Sequence, residues 1–453
     1  MGTFIEDLKN RFGPESLKLE FEEKYLTDFI GTHIGNAQAL LFARSKEDVI
    51  DAVKIANAHK ERFLARGAGT NLVGSTIPEG GLVIDLSGFN RILELDEKTR
   101  SVKVEPGVLL CDLQEFVEQR GLFYPPDPAE KSASIGGNIS TNAGGMRAVK
   151  YGVTRDYVLE LEVVLSDGQY MVLGSNNLKD STGLNLKHLF IGSEGSLGII
   201  VGARLRLITK PSCTKHIILA YESLKKGIEQ VNILFASNLN PTAVEFIEKK
   251  VIALGERYLG KEFPCPDATA YLLVSFDGNE DEVDRTAERC LGLMREHTMD
   301  AVLLDEKTTQ DVWAIRSALA KSVKASGTWE PMDIVVPIDR VADFVRSSDE
   351  VGRELGIRIL TFGHAGDGNV HLCIMKDEIS VEKWPEMLDR TMSRLYDIAY
   401  DLGGLVSAEH GIGKGKRKYF FEHTKHTNIS LMQEIKKVFD QGLLINPHSG
   451  YAK

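Results

Sequence analysis

The chain has 453 residues, 43% hydrophobic and 26% charged, which excludes a disordered, collagen-like or disulfide-scaffold protein and leaves room for roughly two or three domains. With 65 acidic against 54 basic residues the formal charge is −11, the wrong sign for a generic nucleic-acid binder. The five cysteines lie at least 25 positions apart (Cys265 to Cys290 is the shortest gap), so there is no CxxC or iron–sulfur spacing, and a reducing compartment suits them.

The N-terminal stretch MGTFIEDLKN lacks the basic and apolar regions of a signal peptide, and Glu6 stands where myristoylation needs Ser or Thr. No apolar run is long enough for a membrane span. Ser45-Lys46-Glu47-Asp48 resembles a capping box, and the helix behind it places Val49, Val53 and Ala56 on one face. Arg62–Ala65, Leu82–Leu86, Ser101–Val104, Leu159–Leu165 and Ile199–Ile208 read as strands, with a hairpin turn at Asp167-Gly168. Beyond the Pro211 linker, the strand-like runs KHIILAY, VEFI and YLLVSF alternate with charged helical patterns such as Asn279–His297 and Asp339–Leu355. The expected fold is α+β throughout. Its expected domains are residues 1–210, an α+β domain at 211–415 with an antiparallel sheet, and a helical C-terminal segment at 416–453.

Glycine clusters in three loops. The first is Arg66-Gly67-Ala68-Gly69-Thr70-Asn71-Leu72-Val73-Gly74, a strand feeding a turn that can aim backbone N–H groups at phosphate. A strand follows it rather than a helix, so it is no Rossmann turn, and no GK[ST] ends it. The second, Ser134 to Gly145, holds four glycines, two asparagines and three hydroxyls in twelve residues, a composition that offers many small donors. The third is Ile191-Gly192-Ser193-Glu194-Gly195-Ser196-Leu197-Gly198, entering a strong strand.

Near the C-terminal side, Phe362-Gly363-His364-Ala365-Gly366-Asp367-Gly368-Asn369-Val370-His371 reads as a hairpin with Asp367-Gly368 as a two-residue turn. That turn would set His364 directly opposite His371, with Cβ atoms about 5 Å apart. Two imidazoles so placed can chelate one cation. In Ser407-Ala408-Glu409-His410-Gly411, adjacent Glu409 and His410 can serve different partners.

Taken together, RGAGTNLVG, SIGGNISTNAGG, YGVTRDYV and GSEGSLGIIVGARLRL resemble the FAD domain of the vanillyl-alcohol-oxidase, or PCMH-type, flavoprotein superfamily. Within it the chain resembles the glycolate oxidase flavoprotein subunit, D-lactate dehydrogenase and D-2-hydroxyglutarate dehydrogenase branch, from about Ala37 to Asn446. The resemblance implies a PCMH-type FAD-binding domain of two α+β subdomains, plus an α+β cap, or substrate, domain. It implies FAD held by Arg66, Gly67, Ala68, Gly69, Thr70, Asn71 and Gly74 of the first loop and by Gly136, Gly137, Thr141, Asn142 and Gly145 of the second. Asp127 and Ser132 would lie near the ribityl chain and ring, and Tyr151, Gly152 and Ile200 would flank other parts of the cofactor. Asn446 resembles a C-terminal residue that returns to the active site, although INPHSG departs from the usual NPG-type ending. Some members attach FAD through a histidine in the first loop. Here only His33 and His59 precede Gly74, so FAD is expected to be non-covalent.

By the same resemblance His364, His371 and Glu409 bind a divalent metal (zinc, iron or manganese), His410 is the catalytic base, and Arg316 holds the substrate carboxylate through its fork of donors. The implied reaction is hydride transfer from a small D-2-hydroxy acid to FAD, giving the 2-oxo acid. Some relatives, including those acting on 2-hydroxyglutarate, have a lysine two residues before the aspartate matching Asp333. Pro331 stands there, so D-lactate is expected first and glycolate next, with D-2-hydroxyglutarate as the alternative. A flavin-binding electron-transfer subunit with no substrate of its own is the other alternative. The expected electron acceptor is a partner protein: an electron-transfer flavoprotein, an iron–sulfur subunit or a cytochrome. The expected location is the cytoplasm, peripheral to the membrane through that partner, and a homo-oligomer is compatible with the sequence.

Overall fold

The computed structural model describes residues 2–31, 33–447, 450 and 451. The chain forms two compact units from interleaved stretches: Met1–Gly144, Val153–Lys210 and Glu409–Lys453 in the first, Gly145–Gly152 and Pro211–Ala408 in the second. The expected boundaries therefore shift in two places. Gly145–Gly152 belongs with the second unit because Lys150 Nζ donates to the Asp277 carbonyl oxygen at 2.7 Å and its carboxylate at 2.5 Å, while the Tyr151 hydroxyl donates to the same carboxylate at 2.9 and 3.0 Å. The second unit ends at Ala408 rather than 415, because Lys414 and Gly415 give their N–H groups to the Val73 carbonyl of the first unit at 2.8 and 3.0 Å.

In the first unit, β1 (Leu17–Lys18), β2 (Ala39–Phe42), β3 (Phe63–Arg66) and β4 (Leu82–Asp85) form a sheet in the order β1-β2-β4-β3, with β2, β4 and β3 parallel. The helix Lys46–His59 buries Val49, Ala52, Val53 and Ala56 in the core of this sheet, as its 3–4 spacing requires. Ser45 caps it by accepting from Asp48 N at 3.2 Å. The reciprocal bond of a capping box goes instead to Arg44 N, at 3.1 Å from Asp48 Oδ2.

The strands continue as β5 (Ile92–Asp96), β6 (Ser101–Val104), β7 (Leu122–Phe123), β8 (Val158–Val164), β9 (Tyr170–Gly174), β10 (Ile199–Arg206) and β11 (Ile208–Thr209). An antiparallel sheet runs β5-β6-β10-β8-β9, and β7 pairs with β11 separately. The Asp167-Gly168 turn joins β8 to β9, with Gly168 at φ +80°. Leu444, Ile445 and Asn446 return to the free edge of β3, where Phe63 N donates to Leu444 O at 2.9 Å and Asn446 N to Phe63 O at 2.8 Å. Buried Lys436 holds that return, donating to Asp440 and to the Ser196 and Ile445 carbonyls.

In the second unit, β12 (Cys213–Tyr221), β13 (Ala243–Glu248), β14 (Ala270–Gly278), β15 (Asp300–Leu303), β16 (Trp329–Val335), β17 (Arg358–His364) and β18 (Asn369–Met375) form one antiparallel sheet, in the order β15-β12-β14-β13-β17-β18-β16. Leu273, Ile218, Tyr271 and Phe362 pack against Val312, Ile315 and Leu319 of the helix Glu306–Ser326. No described helix is long and apolar enough to cross a membrane.

The β17–β18 register corrects the expected hairpin. His364 pairs with Asn369, and His371 pairs with Phe362, so the loop is Ala365-Gly366-Asp367-Gly368 rather than two residues. Gly368 N donates to His364 O at 3.1 Å, closing a helical turn that Asp367-Gly368 alone would not. Gly366 N meanwhile donates to Val244 O at 3.1 Å, which draws the loop toward β13. A Cβ on Gly368 would lie 2.0 Å from the Val336 carbonyl oxygen, at φ +83°. Gly368→Ala is therefore expected to destabilise the protein by ~2 kcal/mol or more, read by urea unfolding. Gly356→Ala is the control, because Gly356 has φ +65° with nothing within 4 Å. It should cost only about 1 kcal/mol.

Candidate active site

Two clusters of candidate site residues stand out, one in each unit. In the first unit, the three glycine clusters surround a cavity of about 250 Å³, lined by Gly67, Ala68, Gly69, Thr70, Asn71, Gly136, Gly137, Asn138, Ser140, Thr141, Glu194, Gly195, Ile200, Glu409 and His410. The second cluster, expected as a loop, folds instead as the helix Ile135–Thr141. Ser134 caps it and ties it to the first loop: its Oγ accepts from Gly137 N at 3.3 Å and Ala68 N at 3.4 Å. That approach requires glycine at 67, where a Cβ would fall 2.1 Å from Ser134 Oγ. Asn71 Oδ1 accepts from Val73 N at 3.1 Å and Ser75 N at 2.9 Å, which shapes the turn from inside. The walls combine backbone N–H groups and small polar side chains with apolar Leu72, Leu86, Pro106, Pro128 and Ile200. Such a lining suits a dinucleotide, whose pyrophosphate needs donors and whose rings need apolar contact.

Other expected cofactor residues stand elsewhere. Arg66 lies beneath its loop, with Nη1 donating to the Thr27 carbonyl at 2.9 Å. Gly74 takes φ +76°, and Asn142 Oδ1 accepts from Arg155 N at 2.9 Å. Asp127 is buried beside Lys131, and Ser132 Oγ donates to Glu130 at 2.6 Å. Gly145, Tyr151 and Gly152 belong to the second unit. Asn446 Nδ2 donates to the carbonyls of Ser75 and Glu194, both at 3.0 Å, and so joins the first and third loops.

The second set is built by sheet register. Paired residues, and residues two apart along a strand, share a face. His216 pairs with Ser275, Glu245 with His364, and His371 with both Phe362 and Asp333; β14 and β17 carry the sequence of faces between them. His216, Ser275, Glu245, His364, His371 and Asp333 therefore share the face that the helix Glu306–Ser326 covers, and Arg316 comes from that helix. Glu245 is fully buried. Its Oε1 meets His364 Nδ1 at 2.6 Å, and its Oε2 accepts from Arg316 Nε at 2.8 Å and Nη2 at 2.5 Å. Burial opposes ionisation of Glu245, but His364 and Arg316 overcome it and hold the pKa down at about 2.

An ionised Glu245 makes His364 Nδ1 the protonated nitrogen, which turns the Nε2 lone pair toward His371 Nε2 at 3.3 Å. His371 Nδ1 in turn faces Asp333 Oδ1 at 3.7 Å, and Asp333 is fixed by Asn369, Ser407 Oγ and the Ala408 N–H. Two imidazole nitrogens converging this closely, each backed by a carboxylate, fit a divalent cation. Neither Glu245 nor Asp333 was assigned a role from sequence. The available signal was a lone acid inside an apolar strand, in VEFI and in MDIVV.

Trp313 Nε1 donates to His216 Nδ1 at 3.2 Å, which puts the ring proton on Nε2. Burial, then the positive charge of Arg147, push the His216 pKa down to about 4 against the pull of Asp277. His216 therefore gains a proton on unfolding. The stability it contributes is complete above about pH 6.5 and is lost as pH falls toward 4, up to about 3 kcal/mol. His216→Gln should flatten the pH dependence of the urea midpoint across that window.

With the geometry in place, comparison with known proteins decides the family. Residues 210–449 match the family described as FAD linked oxidases, C-terminal domain, and residues 37–174 match the FAD binding domain. The chain belongs to the FAD-linked oxidases. The chain is 39% identical over 420 residues to a D-lactate dehydrogenase of Anaerostipes hadrus, covering 90% of this chain and 88% of that one. It is 36% identical to the glycolate oxidase subunit GlcD of Bacillus subtilis, with coverage of 92% and 89%. It is 33% identical to a D-2-hydroxyglutarate dehydrogenase of Stutzerimonas stutzeri, with 99% of both chains covered. In fold it resembles p-cresol methylhydroxylase, with a TM-score of 0.82 at 17% identity over 99% of this chain and 96% of that one. The chain is thus an FAD-dependent oxidoreductase with the PCMH-like fold, and these three relatives are named for D-lactate, glycolate and D-2-hydroxyglutarate.

Proposed function

We propose that this protein is a metal-dependent dehydrogenase that converts a small D-2-hydroxy acid, D-lactate before glycolate, to its 2-oxo acid. The observation that carries the reading is the Glu245–His364–His371–Asp333 array beside a buried Arg316. Arg316 takes the substrate carboxylate. Its Nε and Nη2 are engaged by Glu245, which holds the guanidinium rigid, and among the described residues its Nη1 edge makes no hydrogen bond. His410, in the wall of the glycine-loop cavity, removes the hydroxyl proton. Bound FAD supplies the two-electron acceptor, and a divalent cation (zinc, iron or manganese) held by His364, His371 and Glu409 supplies Lewis acidity at the hydroxyl. Pro331, on β16 two residues before Asp333, brings no charge for a second carboxylate. The reading further assigns a partner protein as electron acceptor and a cytoplasmic location.

Turnover of D-lactate, L-lactate, glycolate and D-2-hydroxyglutarate with a dye as acceptor tests the proposal, before and after chelation. D-Lactate should give the highest kcat/KM, and chelation should lower kcat while the bound FAD stays constant. Restoring one metal should restore the rate. Full activity in metal-free protein would remove the metal from the mechanism.

A further inference from the structure

Glu194 occupies a backbone position that glycine would fill more cheaply. Its φ is +53°, and its neighbours at positive φ, Gly192 at +80° and Gly195 at +67°, are glycines. A side chain kept against a backbone cost points to a task for that side chain. The Glu194 carboxylate accepts from Ile412 N at 2.7 Å and Gly413 N at 2.8 Å, and from the Ser75 hydroxyl. Its own N–H donates to Ser140 O at 2.7 Å, and its carbonyl accepts from Asn446 at 3.0 Å.

One residue thereby joins all three glycine clusters to the segment that begins two residues after His410. The approach is close enough that a Cβ on Gly411, at φ +85°, would lie 2.9 Å from Glu194 Oε1. Val73 O grips the same segment from the other side, through Lys414 N and Gly415 N.

We propose that Glu194 is a positioning residue: its carboxylate fixes the Glu409–Gly415 loop so that His410 is held at the wall of the cofactor cavity. A carboxylate suits this task because the Ile412 N–H, the Gly413 N–H and the Ser75 hydroxyl all donate to it. Glutamine would turn its amide toward one of them. The consequence for turnover rests on the reading of His410 as the base, whereas the consequence for the loop does not.

Glu194→Gln and Glu194→Gly in FAD-loaded protein separate the two. Hydrogen exchange at the Ile412 and Gly413 amides should accelerate, more in the glycine variant than in the glutamine variant. With D-lactate, kcat should fall about tenfold or more in the glycine variant, with a smaller loss in the glutamine variant. The loss is read per bound FAD, and KM should stay near the parent value. Unchanged exchange at both amides overturns the proposal, as does a loss of activity that merely tracks lost FAD. Faster exchange in a protein whose parent reduces its flavin with none of the hydroxy acids upholds the positioning and overturns the hydroxy-acid reading.

Discussion

His410→Ala should slow flavin reduction by D-lactate by about 10²- to 10⁴-fold, the range for loss of a positioned general base. FAD should remain bound, because the glycine loops are held together by Ser134, Asn71 and Asn446 and not by this imidazole. Added imidazole should restore part of the rate, since a small base can enter the space that the side chain leaves. Stopped-flow absorbance of the flavin measures both effects. Retained FAD with a normal rate would move the base assignment to another residue.

Glu245→Ala should be among the most destabilising single changes in the second unit. The carboxylate is fully buried and is bonded to Arg316 and His364, which are themselves only 5% exposed. Removing it strands a guanidinium that cannot discharge by losing a proton, a change that typically costs about 3–5 kcal/mol. Glu245→Gln should cost less, since a carboxamide keeps one acceptor for Arg316. Chemical denaturation gives the loss in stability. Because Glu245 also orients His364, metal affinity should fall about 10- to 100-fold in the glutamine variant, measured by titration of the metal-free protein.

Much of the architecture was legible because its elements carry strong periodic signals. The helix behind Ser45 and the strands KHIILAY, VEFI and YLLVSF appear where their patterns put them. The three glycine clusters were legible as a group and do line one cavity, but the second was misread as a loop: glycine and asparagine count against a helix locally, yet Ile135–Thr141 forms one, capped by Ser134 and with Ile135 and Ile139 buried. The hairpin turn at His364 was misread for a tertiary reason. Asp367-Gly368 is a sufficient local signal for a two-residue turn, but Gly366 is drawn to β13 and Gly368 fits under Val336, so the loop has four residues. The two histidines still share a face, because the longer loop moves the partner by two positions.

Gly145–Gly152 was assigned to the wrong unit because its anchors, Asp277 and Gly366, lie more than a hundred residues away in sequence. Glu245 was overlooked because one acid in an apolar strand says nothing of what it meets. Arg316, His364 and Glu245 come from a helix and two strands that only the folded sheet assembles.

The most direct test of the central claim is anaerobic. D-Lactate, L-lactate, glycolate and D-2-hydroxyglutarate are each added to FAD-loaded, metal-replete protein, and the flavin absorbance is followed. The account predicts bleaching by D-lactate, with one 2-oxo acid formed per flavin reduced. No bleaching with any of the four acids would contradict it.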